Sequence, residues 1–359
     1  MSQKRNYGVD LLRIVATYMI VTLHVLAAGG ILYTIDSSSP VYETAWFLEF
    51  ASYCAVNCYA LISGYVGLNS KFRVSNILLL WLQVVTTTVV ITIGFYFLGA
   101  DVQLADIKKA CTPVTSEIYW YFTAYVCLYF FTPFLNQFVL CLTSKMSKCL
   151  LIAFAILFSI VPTIWETDLF LINNGYSVAW LVILYIVGAI IKNHYSEVKI
   201  KKRILGIGYV GAVILTLGSK LGIEYLNAKI SFSLFASNFL MNYNSPTIVL
   251  AGVCLVLLFA NINMDKFSKL IAFFAPFTFG IYIIHSHPFV WNKILINRFT
   301  YFTNLHPILL VIAVLLTSTL IFTGCSIIEW CRIKIFKLLH LYELCKKLEE
   351  KITHSTRNC

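Results

Sequence analysis

The sequence predicts an all-α membrane protein, a bundle of about ten transmembrane helices with both termini in the cytosol. Three observations lead there. Hydrophobic residues make up 59% of the 359 positions and charged residues only 12%, with a mean hydropathy of +0.81, far more apolar than a soluble domain requires. Apolar stretches long enough to cross roughly 30 Å of hydrocarbon recur along the chain. Cations also segregate between alternate loops. If the N-terminus is cytosolic, twenty of the 27 Lys and Arg fall on the inner side, six fall on the outer side, and Arg13 lies within the first span. This matches the positive-inside pattern, and an odd number of spans would put the basic tail on the wrong side.

Taken in order, the expected spans are 9–28, 44–67, 76–98, 118–142, 149–164, 176–192, 204–222, 246–262, 271–296 and 307–329. The first is too long for a signal peptide, holds Arg13 and lacks a small-residue cleavage pattern, so it should remain in the mature protein. The longest connections, 99–117 and 223–245, both fall outside in this arrangement. Residues 1–330 are read as one transmembrane domain. Residues 331–359 are read as a cytosolic tail, where IKIFKLLHLYELCKKLEEKI alternates apolar and basic residues at helical period and suits an anionic lipid surface. The net charge of +11 is spread over short loops and the tail, so no nucleic-acid partner is expected. The 11 cysteines lie mainly in apolar stretches. Cys54 and Cys58 share a helical face without a ligand partner at metal spacing, so no metal site is expected.

Arg13 and His24 are ionisable residues at membrane depth, which makes them functional candidates. Eleven residues at ~100° each come within ~20° of three full turns, so both side chains leave one face of the helix, ~16 Å apart along its axis. Asp10, three residues before Arg13, can pair with it. A basic cluster at the inner face suits a phosphate-bearing ligand, and Lys71 and Arg73 would lie on that side. Glu49 sits at a depth comparable to His24 and could orient it, or could simply face interfacial water. Ser63 and Gly64 suit close helix packing or approach of a donor. Trp120, Tyr121 and Tyr125 could face a sugar or anchor the membrane interface. Asn242 and Asn244 are candidate acceptor contacts. His285 is a candidate cavity residue or a satisfied core histidine, and its i, i+2 spacing from His287 does not suit a metal site on a regular helix.

The opening RNYGVDLLRIVATYMIVTLH resembles the first-helix signature of acyltransferase family 3, the integral-membrane enzymes that O-acylate sugars of bacterial surface polysaccharides. AVNCYALISGYVG (55–67), EIYWYFTAYVCLYFFTPFLN (117–136), YNSPTIVLAG (243–252) and FGIYIIHSHPF (279–289) follow in family order. The resemblance implies a bacterial plasma-membrane enzyme with acyl-CoA as co-substrate, no bound cofactor, and a glycan or lipid-linked sugar as acceptor. It casts Arg13 and His24 as the essential pair. It also implies donor contacts from Arg13, Ser63, Gly64, Lys71 and Arg73, although the family Arg usually follows the Ser-Gly-aromatic motif more closely than Arg73 follows Tyr65. His24 would act as general base on the acceptor hydroxyl, with a transient acyl-His as the alternative. Two rival classes stay open: a polytopic transporter or flippase, and a scaffold in which Arg13 and His24 serve packing. No repeat between 1–180 and 181–359 favours the transporter.

Overall fold

A computed structural model describes residues 5–195, 200–229, 236 and 238–357; Lys4 and Lys199, counted above for orientation, lie outside them. Among the described residues the fold is helical throughout, without strands. Nine helices among the described residues are long and apolar enough to span a membrane: α1 (Tyr7–Leu26, continued by the turn Ile31–Thr34), α2 (Tyr42–Gly67), α3 (Val74–Phe97), α4 (Trp120–Cys141), α5 (Ser144–Trp165), α6 (Val178–Tyr195), α7 (Lys202–Lys229), α9 (Asp265–His285) and α10 (Pro307–Leu338). The shorter apolar helix α8 (Pro246–Ala260) stands between α7 and α9. These ten match the ten expected stretches one for one.

One boundary moves. The ninth stretch does not continue to residue 296 as a single helix. α9 stops at His285, and Pro288 opens a new short helix whose N-cap is His287. A proline has no N–H to give the preceding turn and is accommodated at a helix start, so the X-Pro step ends the span.

α1 lies centrally, packed against α2, α8, α9 and α10. Asn6 fixes its start by accepting hydrogen bonds from the Gly8 and Val9 amides and donating to the Ala260 carbonyl at the end of α8. The tightest crossing is α2 on α6. A Cβ on Gly64 would sit 1.8 Å from the Tyr185 carbonyl oxygen, and one on Gly188 would sit 2.0 Å from that of Leu61. Only bare backbones fit there, the small-residue packing expected for Gly64. α10 runs on without a break to Leu338. After a turn through His340 (φ 52°) comes α11 (Leu341–Arg357), which packs on α3 through buried Cys345 and a Ser75–Glu349 hydrogen bond of 2.7 Å.

Candidate active site

Asp10 accepts from Arg13 at 3.0 Å and from Arg5 at 2.5 Å, so one buried carboxylate holds two guanidinium groups beside each other. Together with Asn6, Tyr65, Val66 and Lys192 they line an open, polar cavity of about 850 Å³ at the N-terminal end of α1. The Lys192 ammonium lies 5.1 Å from the centre of the Tyr65 ring. Three cations facing a single carboxylate leave a net positive cavity. Lys71 and Arg73 are exposed and do not line it. Arg73 ends its loop at the start of α3, its backbone N–H and C=O both bonded to the Tyr129 hydroxyl.

His24 lies at the other end of α1 and lines a second cavity of about 550 Å³, walled by Ile20, Leu23, Val56, Tyr59, Trp120, Tyr121, Tyr243, Thr278, Phe279 and Tyr282. Its Nδ1 is 2.9 Å from Nε2 of His285, and Nδ1 of His285 is 2.5 Å from the Ile281 carbonyl oxygen. With both rings neutral this chain of bonds has one solution. The Ile281 carbonyl can only accept, so His285 carries its hydrogen on Nδ1 and offers a lone pair at Nε2. His24 must then donate from Nδ1, which leaves its Nε2 as a free base. The Trp291 ring meets the His24 ring edge-on at 4.7 Å, and the segment after it is tied to the end of α1 by Asn297 N–H to the Ala28 carbonyl and Phe299 N–H to that of Gly29, each 2.9 Å.

Tyrosines stand between the two cavities. Tyr59 lines the His24 cavity with its ring, while its hydroxyl bonds the Thr17 hydroxyl and donates to the Arg13 carbonyl oxygen at 3.0 Å. Tyr121 is 6.3 Å from Tyr59 ring to ring and 6.4 Å from Tyr125.

Trp120 and Tyr121 are therefore at the cavity, and Tyr125 sits behind them toward Arg13. His285 is fully buried and acts on His24, not on the cavity. Glu49 makes no bond to His24; it is buried at 6% exposure with Oε2 unpartnered. Asn242 and Asn244 point elsewhere. Asn242 bonds Ser245 and Asn174, and Asn244 donates to the Phe158 carbonyl at 3.1 Å. The cavity residue is Tyr243 between them, fixed through its carbonyl by Asn57 at 2.7 Å, whose side-chain oxygen accepts from the Trp180 indole at 3.2 Å. Ser63 donates to the Tyr59 carbonyl at 2.8 Å, supporting that tyrosine.

A family model described as an acyltransferase domain, Acyl_transf_3, matches residues 6–328, nearly the whole chain. The protein is a member of acyltransferase family 3. It is a multi-pass membrane acyltransferase. Comparison with curated proteins and with solved structures returned no match. Tyr59, Tyr243, Phe279 and Tyr282, absent from the candidates named by sequence reasoning, all fall inside the motif blocks quoted for this family, so the blocks themselves carried the signal. Lys192 had no such signal, being the first of several cations at the end of the sixth span and in the connection after it.

Proposed function

We propose that this acyltransferase moves an acetyl group from acetyl-CoA, entering on the cytosolic side at Arg13, to a hydroxyl of a cell-surface or lipid-linked glycan arriving on the His24 side. The observation that carries this reading is the free Nε2 of His24 in an aromatic cavity on the same helix face as a cationic one. Guanidinium and ammonium groups suit the phosphates of a CoA donor, and the Arg5, Arg13 and Lys192 lining of this cavity supports that reading. An alcohol is a weak nucleophile near neutral pH and needs a base as it attacks.

In the proposed step the acceptor O–H proton passes to His24 Nε2 while the oxygen bonds to the thioester carbonyl carbon. The carbon–sulfur bond then breaks, and the imidazolium returns its proton to the leaving CoA sulfur. Throughout, Nδ1–H of His24 stays on Nε2 of His285, so the ring neither rotates nor changes tautomer, the positioning role that a carboxylate fills in serine hydrolases. A neutral imidazole does this without placing a second charge in the membrane.

The test is release of the CoA thiol by the purified full-length protein in nanodiscs, with acetyl-CoA and surface polysaccharide from a strain lacking the gene. His24→Gln, which keeps a hydrogen bond to His285 but supplies no base, should lower kcat by about 10²–10⁴ and leave acetyl-CoA binding intact. Near-normal transfer by folded His24→Gln would remove the mechanism.

A further inference from the structure

Beyond the His24 cavity the structure holds a carboxylate that no contact explains. Among the described residues, Glu49 Oε2 is the only carboxylate oxygen that is buried and without a hydrogen-bond partner. A buried acceptor left unpaired is costly, so in a folded protein it calls for a ligand, water or ion. Tyr53 stands four residues further along the same helix, on the same face. Its ring belongs to an aromatic cluster. Tyr243 lies 4.9 Å from Tyr53 and 4.7 Å from Tyr176, and Trp120 lies 4.9 Å from Tyr176 and parallel to Tyr243 at 6.4 Å. Trp120 and Tyr243 are also walls of the His24 cavity. The cluster thus reaches from the wall of the His24 cavity to Tyr53, one turn along α2 from Glu49. Tyr176, 40% exposed, opens it to the surface.

Aromatic faces with a carboxylate at their edge suit a polyhydroxylated ring, whose apolar face stacks while its hydroxyls donate. We propose that Glu49 is the specificity residue of the acceptor subsite, its free oxygen taking a hydrogen bond from a glycan hydroxyl other than the one acylated. This rests on the glycan acceptor proposed above, and it gives Glu49 a role distinct from orienting His24, which His285 already does.

The test separates binding from transfer. Saturation-transfer NMR on the full-length protein in nanodiscs measures the affinity of the methyl glycosides of glucose, galactose, mannose and N-acetylglucosamine. For the glycoside that binds best, Glu49→Gln should weaken affinity at least tenfold and Glu49→Asp several-fold, with acetyl-CoA affinity unchanged. The deoxy analogue lacking the hydroxyl in question should bind wild type and Glu49→Gln equally. If Glu49→Gln does not fold, the Glu49→Asp and deoxy-analogue comparison decides. Equal affinity in wild type and variants, or no glycoside binding to wild type, overturns the proposal. Glycoside binding that depends on Glu49 without CoA release would sink the acyl-transfer reading and leave this one standing.

Discussion

Arg13 and His24 share one face of one helix, yet the two ends of that helix are built differently. The Arg13 end is open and polar, and it spreads its charge over Arg5, Arg13 and Lys192 around a single Asp10. The His24 end is aromatic and depends on one nitrogen, fixed by one ring, itself fixed by one carbonyl. A site that binds by summed charge tolerates the loss of a member. A site that works through one lone pair in one orientation does not. Substitutions at the His24 end should therefore act steeply and on kcat, and those at the Arg13 end gradually and on the donor KM.

The steepest break after His24 itself is His285. Replacing it with Leu leaves Nδ1 of His24 unpartnered and its tautomer unset, and should lower kcat by about 10²-fold with little change in donor KM. His285→Gln, whose side-chain oxygen can still accept from His24 Nδ1, should recover a large part of the loss. Equal losses in Leu and Gln would mean that His285 only fills space.

Next comes the support beneath Tyr243. Asn57→Leu removes the partner of both the Tyr243 carbonyl and the Trp180 indole. Two buried polar groups left unpaired should each cost on the order of 1–3 kcal/mol of stability, read as a lower midpoint of thermal unfolding in detergent. Acceptor KM should rise with it, because the displaced ring is a cavity wall. An unchanged midpoint would show that the two groups find other partners.

At the other end of the helix, Arg13→Gln should raise the donor KM by about tenfold, the lower range for a lost charged hydrogen bond, because Arg5 and Lys192 persist. kcat at saturating donor should change far less than in His285→Leu. The opposite split, with kcat lost and KM intact, would transfer Arg13 from donor binding to the chemical step.

The same contrast explains what the sequence could reveal. The nine spans and the shorter apolar helix α8 were readable because lipid demands long apolar runs. The Arg13–His24 pair was readable because helical spacing is local arithmetic. His285 is 261 residues from His24, and nothing along the chain couples the two; only the packing of α9 on α1 does. Tyr243 was hidden for a related reason. Its polar neighbours Asn242 and Asn244 drew attention as candidate contacts, but their side-chain amides donate to Asn174 and to the Phe158 carbonyl on α5. The early end of α9 was legible in principle, since Pro288 lay in plain view, but the apolar run on both sides masked it.

Lys192 is the mildest and most discriminating case. Its ammonium rests over Tyr65 at the rim of the Arg13 cavity, within reach of solvent, where a single charge contributes about 0.2–1 kcal/mol. Lys192→Gln should therefore raise the donor KM only about two- to fivefold, and Lys192→Arg should leave it near wild type. Salt sharpens the reading, because the Debye length falls from ~10 Å at 0.1 M toward ~3 Å at 1 M. Added salt should weaken donor binding in wild type and erase the difference between wild type and Lys192→Gln, while the deficit of His285→Leu, set by orientation inside an aromatic cavity, should hold constant. A Lys192 effect that survives high salt would place its ammonium in direct contact with the donor, and the Arg13 end would then be as finely built as the His24 end.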